Sequence, residues 1–363
     1  MDKLSFKHFF FIMCASSIVS LKTYPGIFMR NSGRDSWVAV IISALIIIIC
    51  FDYIINIWVK RKCNSLKEVF ELAFGKLLGK TFLIIFALTI FFTMVECASV
   101  ETSVIHVNLF IESPQWYILL FIVLPGLYTI KKGKNSVVVV IMMCMVISII
   151  NGINLYILTA PFKKYNRLFP IFAEGINFNF FIAIAKSLGL FATSTISLVY
   201  LSQINNTKKL RRCALVSIIF IVHMIIVSTN GILSTFTVER ANSIIYPKLI
   251  QTQLISYFGF IASGEFYVIF QVLAGWFAKY IVTFFALINI LKELKIEKLF
   301  NMDILPYCIT GLVYALSFAA SYNLIGLFQI LNIYSYVCLI NFLLIPIVIF
   351  TVFAIRTRCK KSK

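Results

Sequence analysis

Long apolar runs recur along the whole chain and constrain its fold more than any other feature. About 20 consecutive apolar residues cross the hydrocarbon core of a bilayer as a helix. The chain has 363 residues and is 61% hydrophobic and only 13% charged, which is more apolar surface than a soluble protein of this length could bury. We therefore predict an all-α polytopic membrane protein. The ten predicted spans are 6–29, 37–59, 81–111, 115–130, 137–159, 180–204, 213–236, 265–291, 304–322 and 326–355.

The distribution of basic residues predicts how these spans are oriented. The net charge is +19 at pH 7, which in a soluble protein would suggest a nucleic-acid partner. Membrane proteins instead collect lysine and arginine in their cytoplasmic loops. With the N-terminus in the cytoplasm, 23 basic residues fall on the cytoplasmic side and seven on the other side. We therefore expect both termini in the cytoplasm and no nucleic-acid partner.

Two further segments are too polar to count as ordinary spans. Residues 64–80 have an amphipathic helical pattern, which predicts a helix at the membrane interface. Residues 241–263 are long enough to span, but a Tyr-Pro-Lys sequence and two glutamines interrupt them. A span here would also move the basic C-terminal tail outside, so we expect a re-entrant or surface-lying helix. The predicted apolar stripe of the first segment is Leu66, Val69, Phe70, Ala73 and Leu77.

The cysteines and histidines argue against disulfide, metal and catalytic sites. The nine cysteines include no CxxC pair, so the sequence predicts neither a disulfide framework nor a zinc site. His8, His106 and His223 are too dispersed in the sequence to predict a metal site. An intramembrane enzyme would need paired aspartates, a Ser/His arrangement or a histidine cluster. We expect a single integral membrane domain over residues 1–363, with no enzymatic activity, metal or cofactor.

Two polar segments interrupt the apolar spans at corresponding positions. SSIVSLKTYPG (16–26) lies in the first span and KSLGLFATSTIS (186–197) in the sixth. With ten spans, the first and sixth cross the membrane in opposite directions, so residues 6–159 and 180–355 form inverted halves. Matched breaks in inverted halves are typical of discontinuous helices around a midplane site, where freed backbone groups hold a carboxylate or a cation. Alternatively, neighbouring helices satisfy the polar groups of two ordinary helices.

Five short segments, in order over nearly the whole chain, give it a family resemblance. Each is weak alone, but the ordered set resembles the B subunits of spore germinant receptors, the GerAB/GerBB/GerKB-type spore permeases. The segments are SGRDSWVAVIISALI (32–46), FGKLLGK (74–80), ESPQWYILL (112–120), RLFPIFAEG (167–175) and IIYPKL (244–249).

This resemblance implies a fold, a location and partners. The fold is the LeuT-like five-plus-five inverted repeat of the amino acid–polyamine–organocation superfamily. The location is the inner membrane of an endospore, and the partners are a larger A subunit and a lipoprotein C subunit. The implied function is to sense a small nutrient, commonly an amino acid, and to trigger ion release and germination. Many relatives have an acidic residue in the break of the sixth span, where this chain has Ala192, Thr193 and Ser194. That acid is therefore either dispensable or replaced by a different ligand set.

Three ionisable residues lie deep inside predicted spans. A charge at the centre of a membrane helix costs roughly 2.5 to 3.5 kcal/mol on insertion scales, so each needs a partner or a wet cavity. Glu96 and Glu101 lie on the third span and Lys279 on the eighth, and in the implied fold these two helices wall the site. We predict that Glu101 and Lys279 pair, or exchange partners around a ligand; the alternative is a structural ion pair. Glu96 is five residues from Glu101 and points in another direction.

The predicted ligand-binding residues come from the two breaks and from the helical faces that carry the charges. Thr93 and Cys97 share the face of Glu101, Thr283 shares the face of Lys279, and Phe191 supplies an apolar wall. Lys22 and Lys186 lie in the outer halves of their spans, where they either extend to the interface or attract acidic ligands to the external mouth. The complete predicted set is Ser17, Ile18, Ser20, Thr93, Cys97, Glu101, Phe191, Thr193, Lys279 and Thr283.

Two functions fit this predicted pocket. One is a ligand-sensing receptor subunit, and the other is an amino acid–cation symporter of the same fold. Both need a midplane site, so the sequence separates them poorly. A symporter would be favoured by a sodium site with two acidic residues, and the sequence offers no clear one.

Overall fold

The computed structural model describes residues 4–173, 175–204, 207–255, 264–296 and 301–359. These residues are almost entirely helical, as predicted. The α-helices are α1 Phe6–Thr23, α2 Gly26–Ser32, α3 Ser36–Arg61, α4 Leu66–Phe74, α5 Lys76–Asn108, α6 Gln115–Lys131, α7 Lys134–Leu158, α8 Phe178–Ala192, α9 Thr207–Thr235, α10 Val238–Ser243, α11 Pro247–Gln253, α12 Glu265–Glu293, α13 Leu305–Ser321, α14 Leu324–Cys338 and α15 Ile345–Cys359.

The helices confirm a polytopic membrane protein. Within the described residues, seven helical stretches are long and apolar enough to cross a membrane. Two shorter apolar helices, α6 and α13, fall on the predicted fourth and ninth spans. Together with α1, they are consistent with ten crossings.

The break in the first span is confined to two residues. Most of the polar segment 16–26 is regular helix, because α1 continues to Thr23. The turn comes at Tyr24, whose N–H still donates to the carbonyl of Ser20, and at Pro25, after which α2 begins at Gly26. Proline has no N–H and disfavours helical geometry in the residue before it, so Pro25 fixes the position of the break.

The sixth span changes its helix type where the serines and threonines begin. The α-helix α8 ends at Ala192 and continues as a 3₁₀-helix, Thr193–Gln203. The hydroxyls of Thr193, Thr195 and Ser197 each donate to the carbonyl three residues earlier, at 2.7, 2.8 and 2.6 Å. These local hydrogen bonds give the backbone an alternative to the α-helical pattern. The predicted break in this span is therefore a change from α-helical to 3₁₀ geometry at Thr193, with no gap in the helix.

The tenth span contains an irregularity that the sequence did not predict. Between α14 and α15, residues Leu339–Leu344 form a π-helix. The preceding turn of α14 lies directly against α8, since a Cβ added to Gly189 would lie 1.9 Å from the carbonyl oxygen of Ser335. Only glycine allows this approach.

The predicted interfacial helix forms, but it ends earlier than expected. Ser65 caps α4 by accepting a hydrogen bond from the N–H of Glu68, and the predicted stripe from Leu66 to Ala73 is buried. Gly75, with φ +86°, terminates the helix. Leu77 therefore belongs to α5 and is 81% exposed, so its assignment to the stripe was wrong.

The segment at 241–263 is only partly described. Its described part holds the end of α10 and all of α11, each too short to cross a membrane. Residues 256–263 lie outside the described residues, so the choice between a re-entrant and a surface-lying helix stays open.

The most buried spans lie at the centre of the bundle. The most apolar 18-residue window of each span shows this. That window is 83% buried in Phe178–Gln203 and 72% buried in Glu265–Glu293, but only 28% buried in Lys134–Leu158. Helix α1 packs against α7, α9 and α12, and α12 packs against α5 and α7. The two broken spans and the two charged helices therefore meet in the interior.

Candidate ligand-binding site

A fully buried ion pair lies where the first span breaks. The ammonium of Lys279 on α12 is 2.6 Å from Oε2 of Glu96 on α5, and the two side chains are 0% and 2% exposed. The same ammonium donates to the hydroxyl of Ser20 on α1 at 2.5 Å. Residues far apart in the sequence thus join three helices at one point.

The other carboxylate oxygen of Glu96 binds the end of α1. Oε1 accepts a hydrogen bond from the Ser20 hydroxyl at 2.7 Å and another from the Tyr24 hydroxyl. Tyr24 immediately precedes Pro25, so its position depends on the break. We call Glu96, Lys279, Ser20 and Tyr24 the buried network.

Trp276 attaches one more part of α1 to this network. Its ring NH donates to the Thr23 hydroxyl at 3.2 Å, and its ring stacks on Tyr24 with centroids 6.1 Å apart. The Lys279 ammonium lies 5.4 Å from the centroid of the Trp276 ring. A cation over an aromatic face is stabilised by the ring quadrupole.

Hydrogen bonds and Coulomb attraction stabilise the two charges inside the bundle. Removing an ion pair from water costs several kcal/mol per ion unless hydrogen bonds and Coulomb attraction offset the loss. Here the carboxylate accepts three hydrogen bonds and the ammonium donates two. Moving any one of these side chains away leaves buried polar groups of the others without a hydrogen-bond partner. The network therefore couples the conformation of α1 to α5 and α12.

The predicted pairing of Glu101 with Lys279 was wrong, because Glu96 takes that place. Five residues along a helix correspond to about 500°, and Glu101 accordingly faces another side of α5. It is 4% exposed, and its Oε2 has no hydrogen-bond partner among the described residues. Glu101 lies instead on a cavity of about 590 Å³ between α5, α6 and α12, with Tyr117, Phe121 and Phe277 among its walls.

The predicted residues of the two broken spans lie near each other, and their ligand roles stay predictions. The Ser17 hydroxyl donates to the carbonyl of Leu190 at 3.5 Å, which brings α1 onto α8. Thr193 donates to the same carbonyl at 2.7 Å. Phe191 is fully buried, and Ile18 lines a small cavity of about 40 Å³ beside α1.

The predicted residues Thr93 and Cys97 of α5 and Thr283 of α12 are fully buried between packed helices. The Tyr334 hydroxyl of α14 donates to Thr93 at 2.9 Å, which links α5 to the tenth span. Cys97 is fully buried. The Thr283 hydroxyl donates to the carbonyl of Lys279 at 2.9 Å and thus satisfies its own helix backbone. Of the predicted set, the structure brings Ser20 and Lys279 into direct contact, whereas Glu101 faces a separate cavity.

Three residues of this site are not in the predicted ligand-binding set. The sequence predicts Glu96 as a deep charge but not as the partner of Lys279. Tyr24 is the hydroxyl-bearing aromatic residue of the segment 16–26. Trp276 is three residues before Lys279 and therefore on the same helical face. The sequence signal of both aromatic residues is a hydrogen-bonding side chain next to a break or a buried charge.

No group of three or more histidine, cysteine or acidic side chains that could hold a metal occurs among the residues that the structure describes.

The two outer lysines, Lys22 and Lys186, have different surroundings. Lys186 donates to the side-chain oxygen of Asn31 at 2.7 Å. Lys22 lines a cavity with two other lysines.

Comparison with solved structures establishes the fold. MhsT, in a crystal structure with L-phenylalanine, has a TM-score of 0.68 at 13% identity, covering 97% of this chain and 90% of that one. A Na⁺-coupled sialic acid symporter in a substrate-bound outward-open state has a TM-score of 0.62 at 11% identity, covering 91% and 75%. Both have the LeuT fold, which confirms the predicted fold class.

Comparison with curated proteins finds no match. The family model described as spore germination protein, Spore_permease, matches residues 3–323, nearly the whole chain. The five-segment resemblance is thereby confirmed, and the chain belongs to the spore germination protein family.

Proposed function

We propose that this chain is the nutrient-sensing subunit of a spore germination receptor and that it has no enzymatic activity. A small ligand, with an amino acid as the leading class, binds at the midplane beside the breaks in the first and sixth spans. The observation that carries this proposal is the buried network, in which Ser20 and Tyr24 of the broken helix hold the Glu96–Lys279 pair.

The network supplies a physical route from ligand to signal. A ligand shifts a two-state equilibrium only by its difference in affinity for the two states. The contacts of Ser20 and Tyr24 exist only when α1 lies against α5 and α12. A ligand that competes for these groups, or that packs only when they are in place, therefore changes the population of that arrangement.

The family and the distribution of charge support a proposed setting. The chain would lie in the inner spore membrane with both termini in the cytoplasm. It would assemble with the A subunit and the lipoprotein C subunit, which would respond to the position of α1. Small nutrients and lipid are the other partners, and nucleic acid is not one.

An amino acid–cation symporter is the second candidate, and one structural neighbour supports it. One of them is described as a Na⁺-coupled symporter. The buried network favours the receptor, because Glu96 already has an internal cation. The Lys279 ammonium occupies one carboxylate oxygen, and two hydroxyls occupy the other. A coupling cation at Glu96 would have to displace them.

The first experiment uses spores that lack this gene. They would be exposed to amino acids, nucleosides, sugars and bile-type cogerminants while ion release is followed. We expect loss of the response to one ligand class, restored by complementation. An intact response to every ligand, together with reduced amino acid uptake in growing cells, would contradict the receptor and favour the symporter.

The second experiment tests the network in complemented spores. Lys279→Ala should abolish the restored response while immunoblots of spore membranes still detect the protein. The matched control is Arg211→Ala, which removes the peripheral pair with Asp52 at 2.7 Å, where the side chains are 48% and 24% exposed. This control should respond normally. A normal response in Lys279→Ala would contradict the assignment of the network to signalling.

A further inference from the structure

One cavity, apart from the buried network, is lined by positively charged side chains. It measures about 230 Å³ and lies among α1, α7, α9, α11 and α12. Lys22 comes from the last turn of α1, Lys163 from the connection after α7, and Lys248 from α11. His223 of α9 also lines it. We call this cavity the lysine cavity.

No carboxylate balances these lysines within the described part of the chain. All three are only partly exposed. Lys248 donates to the side-chain oxygen of Gln251 at 2.8 Å. Lys163 donates to the carbonyl of Tyr156 at 3.3 Å and lies 4.2 Å from the centroid of the Tyr156 ring. Both of these acceptors are neutral, so the described residues leave the cavity with an excess of positive charge.

The cluster is electrostatically unfavourable as it stands. Burial, followed by the charges of Lys22 and Lys163, lowers the pKa of Lys248 to about 7. Burial also lowers the pKa of Lys163. Like charges in a partly buried site repel each other strongly, because the effective dielectric constant is well below that of water. An anion placed among the three ammonium groups would remove this repulsion and favour the protonated lysines.

The walls next to the lysines are apolar. A smaller cavity of about 40 Å³ adjoins the lysine cavity and shares Lys22, Met224, Lys248 and Gln271 with it. Its remaining walls include Ile18, Val19, Met145 and Val272. The larger cavity has several times the roughly 30 Å³ that one water molecule occupies in the liquid. A bare inorganic ion would therefore leave apolar walls without contacts.

We infer that the lysine cavity is a binding site for a small monocarboxylate, whose carboxylate lies among Lys22, Lys163 and Lys248 and whose apolar part lies toward Ile18 and Val272. This site differs from the proposed midplane site, since it contains neither Glu96 nor Lys279. It adds an anion-selective entrance or regulatory site to the molecule. In-vitro binding tests it whether or not the receptor function holds.

The experiment measures binding to the purified full-length protein in phosphatidylcholine nanodiscs by isothermal titration calorimetry. The probe is 3-phenylpropionate, and its uncharged counterpart is 3-phenylpropionamide. We expect the carboxylate to bind at least tenfold more tightly than the amide. Equal binding of the two, or binding of inorganic phosphate as tight as that of 3-phenylpropionate, would overturn the inference.

The lysines are then tested one at a time. Lys248→Gln and Lys163→Gln should each weaken carboxylate binding about tenfold or more and leave amide binding unchanged. Lys248→Arg keeps the charge and should keep most of the affinity, which separates loss of charge from loss of folding. The matched control is Lys164→Gln, at an exposed residue beside Lys163 that does not line the cavity. Unchanged carboxylate binding in a folded Lys248→Gln protein would overturn the site.

Discussion

Glu96 and Glu101 lie on the same helix, are equally buried and differ completely in their surroundings. Glu96 accepts three hydrogen bonds, one of them from the ammonium of Lys279. Oε2 of Glu101 meets no donor among the described residues and borders a cavity with aromatic walls. In one case the protein supplies the partner for a buried acid, and in the other it leaves room beside the acid. Burial alone therefore does not identify which acid stabilises the fold.

The largest expected effect comes from removing the partner of Glu96. Lys279→Ala should lower the free energy of unfolding by about 3–5 kcal/mol, because it leaves a buried carboxylate without its counter-charge. Thermal unfolding in nanodiscs measures this loss.

The control for that experiment removes both charges. The double variant Glu96→Gln/Lys279→Met should recover most of the loss, since no unpaired charge remains. A loss below about 1 kcal/mol in Lys279→Ala would mean that the pair is already exposed to water.

A smaller effect is expected from Tyr24→Phe. This change removes one hydroxyl donor from the Glu96 carboxylate and keeps the ring on Trp276. Hydrogen bonds to charged groups contribute about 1.5–3 kcal/mol, so the free energy of unfolding should fall by that amount.

The matched control for Tyr24→Phe is Tyr246→Phe. The buried Tyr246 hydroxyl lies 2.9 Å from the hydroxyl of Ser103, a neutral partner. Its loss should be about 0.5–1.5 kcal/mol. Equal losses in the two variants would show that the Tyr24 hydroxyl does not meet a charged carboxylate.

The sequence predicts those parts of the fold that depend on local information. The lengths of the apolar runs predict the spans, since a helix needs about 20 residues to cross. Pro25 limits the break in the first span, and helical periodicity correctly separates the directions of Glu96 and Glu101. The π-helix Leu339–Leu344 has no comparable local signal.

The pairing of charges could not be predicted in the same way. Glu96 and Lys279 are 183 residues apart, and helical spacing shows only that the two glutamates face different sides. Which side faces α12 depends on how α5 rotates against its neighbours. The hydroxyls of Ser20 and Tyr24 make Glu96 the better partner, and they reach it only after α1 has packed. The ligand-binding roles of the predicted residues remain predictions.

The smallest effect is expected at Glu101. Glu101→Gln keeps the size of the side chain and removes only a carboxyl group whose Oε2 has no partner in the described part of the chain. Replacing an unpaired buried acid with a neutral amide should change the free energy of unfolding by less than about 1 kcal/mol, with stabilisation as the expected direction. Thermal unfolding beside Lys279→Ala gives the direct comparison. A loss as large as that of Lys279→Ala would show that Glu101 is ionised and has a counter-charge, and the two acids would then stabilise the helix bundle in the same way.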